Sequence, residues 1–187
     1  MGGPHSHGFI ERGNGMNMIL ETERLSLREM NDDDFVDLCE MLQDPVVMTA
    51  YEHAFEDEET RQWLENQKRR YREDGFGLWA VLLKETGEMI GQCGLTRQCV
   101  GENCVLEIGY LLKKDFWHEG YATEAATACK QYAFEVLEAE EVFSIIRDTN
   151  TASQAVAKRN GMTLKGEILK HYYEMDMPHL LYSAVRK

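Results

Sequence analysis

Three patterns divide this chain: apolar residues alternate with polar ones, recur every three to four positions, or run together. From Glu23 to Met30 the alternation turns Leu25, Leu27 and Met30 inward and predicts a first strand. Asn31 to Asp34 then supply an N-cap and an acidic first turn for a helix with Phe35, Leu38, Cys39 and Leu42 on its buried face, which Asp44-Pro45 ends. A loop with Tyr51, His53 and Phe55 leads to a second helix, about 57–72, with Trp63, Leu64, Gln67 and Tyr71 on adjoining faces and Asp74-Gly75 as its stop. Phe76 to Lys84 and Met89 to Val100 read as an antiparallel hairpin about the turn Glu85-Thr86-Gly87-Glu88, and Gly101-Glu102-Asn103 turns the chain into a third strand.

That third strand organises the rest. Val105, Leu106, Ile108, Tyr110, Leu111 and Leu112 have the β-branched and aromatic content of a mostly buried strand, interrupted by Glu107 and Gly109. From Tyr121 the period changes: Ala122, Ala125, Ala126, Cys129, Tyr132, Ala133, Val136 and Leu137 recur at helical spacing. The turn His118-Glu119-Gly120-Tyr121-Ala122 therefore sits at a helix N-terminus. N–H groups there lack intrahelical partners and favour an anion, and a glycine lets the ligand approach the main chain. The same strand-turn-helix also serves as a plain sheet connection. Glu141 to Arg147 is another buried strand, and Asp148-Thr149-Asn150 caps a short helix from Thr151 to Asn160 that stops at Gly161. Met162 to Leu169 and His179 to Val185 close the chain as two strands around a loop with Asp176 and Pro178.

Composition narrows the function. The 187 residues fit one domain, 18–187, after a glycine-rich stretch, 1–17, read as a flexible extension or expression remnant in which His5 and His7 are too sparse for a metal site. A net charge of −13 opposes nucleic-acid binding and is compatible with cationic substrates such as amines. No apolar run approaches the roughly 20 residues that cross a bilayer. Cys39, Cys93, Cys99, Cys104 and Cys129 are odd in number, lie mostly in apolar runs and form no C-x-x-C pair, which argues against a disulfide framework or a zinc site and for a reducing cytoplasm.

The element order, with the strand-turn-helix at its centre, resembles the GNAT superfamily of acetyl-CoA-dependent N-acetyltransferases from about Ile19 to the C-terminus. Trp117-His118-Glu119-Gly120-Tyr121-Ala122 stands where the family has Q/R-x-x-G-x-G/A, matching the second glycine and the final small residue but not the opening Gln/Arg. Glu107-Ile108-Gly109-Tyr110, the run W-x-x-G-Y-A-T-E-A from Trp117 to Ala125, and N-x-x-S at Asn150 to Ser153 look like the RimJ/RimL branch, whose best-known members acetylate protein N-termini. The resemblance implies an α/β (α+β) fold with a mixed, twisted, mostly antiparallel sheet, splayed between the central strand and the next, and helices on both faces. It implies acetyl-CoA as donor, main-chain groups of Tyr110, Leu111 and Leu112 on its pantetheine arm, the amides of His118, Glu119, Gly120, Tyr121 and Ala122 on its pyrophosphate, and Trp117 and Thr123 as further cofactor contacts. Metal is not expected. The partners would be an amine acceptor, small molecule or protein N-terminus, and a second copy of the chain through exposed closing strands.

Acetyl transfer to an amine needs a base for the ammonium proton, donors for the thioester oxygen and a proton for the leaving thiolate. Glu107 is the candidate base, since partial burial beside the splay would raise its pKa; a solvent-facing or arginine-paired carboxylate is the other reading. Main-chain N–H groups near Gly109 and Tyr110 are the candidate oxyanion donors. Many family members place a tyrosine seven residues after the asparagine of N-x-x-S; here that residue is Ala157, leaving Ser153 as proton donor or as a first-turn capping serine. Asn150 is similarly divided between helix N-cap and pantetheine contact. Tyr51, His53, Trp63, Tyr71, Tyr172 and Tyr173 are placed on the acceptor side without catalytic roles. Of the three glycines of a dinucleotide-binding turn only Gly120 is present, and G-K-[ST] of a P-loop is absent. The competing function is an acyl-CoA-binding sensor without turnover, which Ala157 favours and Glu107 with Ser153 opposes.

Overall fold

The computed structural model describes residues 18–172 and 175–187. Its strands are β1 (Met18–Glu21), β2 (Leu25–Arg28), β3 (Leu78–Leu83), β4 (Met89–Val100), β5 (Asn103–Leu112), β6 (Glu141–Arg147), β7 (Thr163–Tyr172) and β8 (Met175–Val185). The α-helices are α1 (Phe35–Leu42), α2 (Asp57–Glu73), α3 (Tyr121–Glu135) and α4 (Thr151–Arg159). All eight strands join one sheet in the order β1-β2-β3-β4-β5-β6-β8-β7, antiparallel throughout except for β5 beside β6.

Strand alternation separates two cores. On one face Leu25, Leu27, Val81, Ile108 and Val142 pack with the small residues Ala125, Cys129 and Ala133 of α3 and with Val156 and Ala157 of α4. On the other, Leu78, Ala80 and Met89 meet Leu38, Met41 and Leu42 of α1 and Leu64 of α2. The mixed sheet with helices on both faces is the architecture expected from the sequence.

Several elements depart from the sequence pattern. The strand Met18–Glu21 was not foreseen, because four residues are too few to establish a period. Helix α1 buries Leu38, Met41 and Leu42, while Phe35 and Cys39 remain half-buried. Helix α3 stops at Glu135; Val136 is its 58% exposed C-cap, and Leu137 packs on the core from outside the helix. Instead of a loop, Asp176 and Pro178 lie within β8, and Pro178 sits just beyond the last β6 partner, His179, where β8 has a neighbour only on the β7 side. Cys99 and Cys104 form a disulfide where none was expected. Counting cysteines misses it, since the two stand directly opposite in the β4–β5 register.

The approach to the sheet is fixed by a buried ion pair. Arg28, 7% exposed, donates through both terminal nitrogens to Asp34, 3% exposed, at 2.8 Å each, and Asp34 also accepts the Asn31 N–H at 2.9 Å in a capping box. Removing one partner leaves the other charge buried and unpaired. Asp34→Ala should therefore lower unfolding stability by about 3–5 kcal/mol in urea titrations, well beyond the roughly 1 kcal/mol of a lost cap alone.

Candidate active site

Two half-sheets meet at one rung. β5 pairs with β4 along its whole length and β6 with β8 along its whole length, yet β5 and β6 share only Glu107↔Phe143. Beyond that rung no further β5–β6 pair forms, so main-chain groups between Gly109 and Leu112 that face β6 have no partner on it, at the splay expected between these two strands. Side chains close its apex: Ser144 Oγ donates to the Ile108 carbonyl at 3.0 Å, and the Ile145 N–H donates to Glu107 Oε2 at 2.7 Å. The far end of β5 is anchored by buried Lys113, which pairs with Asp37 and Glu40 of α1 at 2.7 Å each, and by Trp117 Nε1 donating to the Leu112 carbonyl at 3.0 Å.

Glu107 is neither solvent-facing nor ion-paired with arginine. It is partly exposed at the apex, and burial pushes its carboxyl up to about 7, against the opposing pull of the Ile145 N–H and the positive charges of Lys170 and Arg70. A carboxyl titrating there is half ionised near neutral pH and can take a proton from an ammonium.

On the opposite face of β5 the side chain of Tyr110 matters, whereas the sequence pointed only to its main chain. Tyr110 Oη donates to Ser153 Oγ at 2.8 Å, and burial pushes the phenol up to about 12, partly offset by that bond. Ser153 is not itself a cap. Its N–H donates to Asn150 Oδ1 at 3.2 Å, which makes Asn150 the N-cap of α4 and leaves the Ser153 hydroxyl proton available to a further acceptor. Ala157 is 3% exposed in the core, so α4 offers no hydroxyl at that position.

The turn between β5 and α3 holds two residues in the left-handed region, His118 at φ 65° and Gly120 at φ 80°. Such a conformation is unusual for a non-glycine residue such as His118, whereas Gly120 adopts it without strain. Gly120 is the N-cap of α3, no side chain among the described residues caps the helix, and the first intrahelical bond is the Glu124 N–H to the Gly120 carbonyl at 3.1 Å. The amides of Tyr121, Ala122 and Thr123 thus point out of the helix start, as an anion site requires. An open groove of about 490 Å³ extends from Gly120 past Thr123 and Thr127.

Arg24, which sequence reading passed over, buttresses this turn. Its Nη1 donates to the Glu119 carbonyl at 2.9 Å, its Nε pairs with Glu124 Oε1 at 2.7 Å, and its guanidinium stacks 4.2 Å from the Tyr121 ring centroid. The signal was present as Thr22-Glu23-Arg24-Leu25, a charged residue at the entry of a buried strand, but its partner lies 100 residues on.

The acceptor-side aromatics divide. Tyr71 Oη donates to the Leu78 carbonyl and accepts the Met30 N–H at 3.1 Å, and Trp63 Nε1 donates to Gln92 Oε1 at 3.0 Å, so both tie α2 to the sheet. His53 contacts Glu59 at 2.6 Å on an exposed surface, and Tyr51 is also exposed. Tyr173 and the side chain of Tyr172 lie outside the described residues.

Residues 24–163 match the family model described as an acetyltransferase (GNAT) domain. The chain belongs to the GNAT family. Among its relatives, the uncharacterized protein YkkB of Bacillus subtilis (strain 168) is 38% identical over 152 residues, 81% of this chain and 88% of YkkB. The crystal structure of an acetyltransferase from Agrobacterium tumefaciens str. C58 superposes with a TM-score of 0.77 at 28% identity, covering 97% of this chain and 100% of that one. The ribosomal L7/L12 α-N-protein acetyltransferase RimL shares the fold with a TM-score of 0.78 at 19% identity, over 96% of this chain and all of RimL. In this GNAT protein the splay and the α3 turn fit a nucleotide-bearing thioester: β5 main-chain groups beyond the rung have no β6 partner, and the start of α3 offers amides without intrahelical partners. Among the described residues no helix is long and apolar enough to cross a membrane, and no group of three or more His, Cys, Asp or Glu side chains is placed to hold a metal ion.

Proposed function

We propose that this GNAT protein transfers an acetyl group from acetyl-CoA to a primary amine by direct attack within a ternary complex, in the manner of the RimJ/RimL branch. The observation that carries this is the single rung between β5 and β6 with the Glu107 carboxyl at its apex. Acetyl-CoA supplies the activated acyl group. The amides from His118 to Thr123 hold its pyrophosphate, with Arg24 bracing the turn beside them, and main-chain groups of Tyr110 to Leu112 on the side away from β4 hold the pantetheine arm. Main-chain N–H groups near Gly109 and Tyr110 face the thioester oxygen as it gains charge. Glu107 takes the ammonium proton on the α2 face of the sheet. On the α4 face Ser153 gives its hydroxyl proton to the departing sulfur and is resupplied by Tyr110.

Ala157 is the observation that favours the second reading, a coenzyme-binding module without turnover; the Tyr110–Ser153 pair supplies the missing hydroxyl from another element and favours the enzyme. Thiol release from acetyl-CoA with a panel of amines decides between them: amine-dependent release is expected, and its absence with every amine would favour the module.

If the two hydroxyls form one relay, Ser153→Ala and Tyr110→Phe should each lower turnover by about 10- to 100-fold, with a smaller change in coenzyme affinity, and the double variant should lose little more than either alone. Multiplicative losses would separate the two residues.

A further inference from the structure

The chain carries 33 acidic against 20 basic residues, which as a whole favours cationic ligands, but the face bearing Glu107 has a local charge of the other sign. Register fixes that face. Glu107 pairs with Phe143, Arg147 pairs with His179, and Lys170 pairs with Met177 two positions along β8, so Glu107, Arg147 and Lys170 all project from the same side of the sheet. The opposite side holds Val142, Ile146 and Tyr182 in the core with α3 and α4. Helix α2 packs against the Glu107 side and brings Arg70 within electrostatic reach of Glu107, as β7 brings Lys170.

Among the described residues, half of the buried or half-buried cations are matched by carboxylates: Arg24 by Glu124, Arg28 by Asp34, Lys113 by Asp37 and Glu40, Lys68 by Asp32 and Glu65; Lys130 instead donates to the Asn160 carbonyl at 2.6 Å. Arg70, Arg147 and Lys170 are partly buried, and among the described residues no carboxylate lies within ion-pair distance of any of them. Among the described residues, Arg70 donates only to Gln67 Oε1, at 3.2 Å, and Arg147 Nε is buried with no hydrogen-bond partner. Asp74 and Asp148 act on this group from its rim, and Asp74 is already paired with Arg97 at 3.4 Å. Complementing the α2 dipole does not account for Arg70. Arg72, in the same last turn, does so from an exposed position, whereas Arg70 is desolvated and its pKa is lowered by that burial.

Three half-buried cations gathered around one carboxyl, with no ion-paired carboxylate among the described residues and with the Arg147 Nε unsatisfied, leave positive charge there that an anion from outside would match. The geometry points to an acceptor that carries a carboxylate beside its amine, a small amino acid whose ammonium meets Glu107 while its carboxylate meets Arg70, Arg147 and Lys170. This rests on the acetyl-transfer reading above and specifies its substrate class.

The test compares β-alanine and γ-aminobutyrate with their amides and with the matching diamines, at equal concentrations of neutral amine and saturating acetyl-CoA. Each amino acid should exceed its amide in kcat/KM by about tenfold or more, and the diamines should be poorest. Arg70→Glu and Arg147→Glu should reverse the order toward the diamines, a change that loss of packing alone would not produce. Calorimetric binding of N-acetyl-β-alanine and its amide to the CoA complex adds a readout independent of turnover, with the acid expected to bind more tightly. Transfer or binding in which acid and amide are equal overturns the carboxylate site. Tighter binding of the acid without transfer to any amine would leave the site standing and remove the acetyl-transfer reading.

Discussion

Glu107→Gln should lower acetyl-transfer turnover by about 10² to 10⁴-fold while hardly changing the affinity for acetyl-CoA. The amide oxygen of the variant still accepts the Ile145 N–H that closes the apex of the splay, so the gap keeps its shape, but the side chain no longer accepts a proton. Stability should move in the opposite direction. The Glu107 carboxyl is raised from an ordinary 4.5 to about 7, so between those values the folded protein holds a proton that the unfolded chain has released. Its contribution is therefore full below pH 4.5 and is lost as pH rises through 7. At pH 8 the wild type carries a desolvated carboxylate, and Glu107→Gln should be the more stable protein by about 1–3 kcal/mol in urea titrations, the difference shrinking at pH 5. A variant that is inactive and also less stable at pH 8 would point to a damaged apex rather than a missing base.

Gly120→Glu should weaken acetyl-CoA binding by about 100-fold or more in calorimetry, which corresponds to about 2.7 kcal/mol. Gly120 has φ +80°, and a Cβ there would lie 3.5 Å from Arg24 Nη2. A carboxylate on that carbon would pair with Arg24 and set negative charge over the amides of α3 that receive the pyrophosphate. Gly120→Ala carries the same left-handed strain, of order 1–2 kcal/mol, without the charge, and should bind with intermediate affinity. Unchanged affinity in a folded Gly120→Glu protein would move the pyrophosphate away from this turn.

What the sequence made legible was local. The change from strand to helix period between Leu112 and Tyr121 located β5, the turn and α3, and Glu107 stood out because a carboxylate interrupts an apolar run. What it hid depends on register and distance. Arg24 meets Glu124 across 100 residues, and the Tyr110 hydroxyl meets Ser153 across 43, so neither pair leaves a trace at short range. The same is true of Cys99 and Cys104, which become neighbours only once the β4–β5 hairpin has its register. Arg70, Arg147 and Lys170 come from α2, β6 and β7, and a net charge summed over the chain obscured the opposite sign of the small face they share. The boundaries of α3 and of the β7–β8 hairpin were missed for a simpler reason: Leu137 and Pro178 have side chains whose usual roles, helix face and strand breaker, tertiary packing overrides here.

The central claim is that a carboxyl at the apex of the splay drives acetyl transfer, and a pH series tests it most directly. With acetyl-CoA saturating, kcat/KM for a good acceptor, corrected for the fraction of neutral amine, should rise with pH in the wild type and level off above about 7, the pKa to which burial lifts Glu107. Glu107→Gln should be slower and lack that rise. The same inflection and the same rate in both proteins would contradict the account.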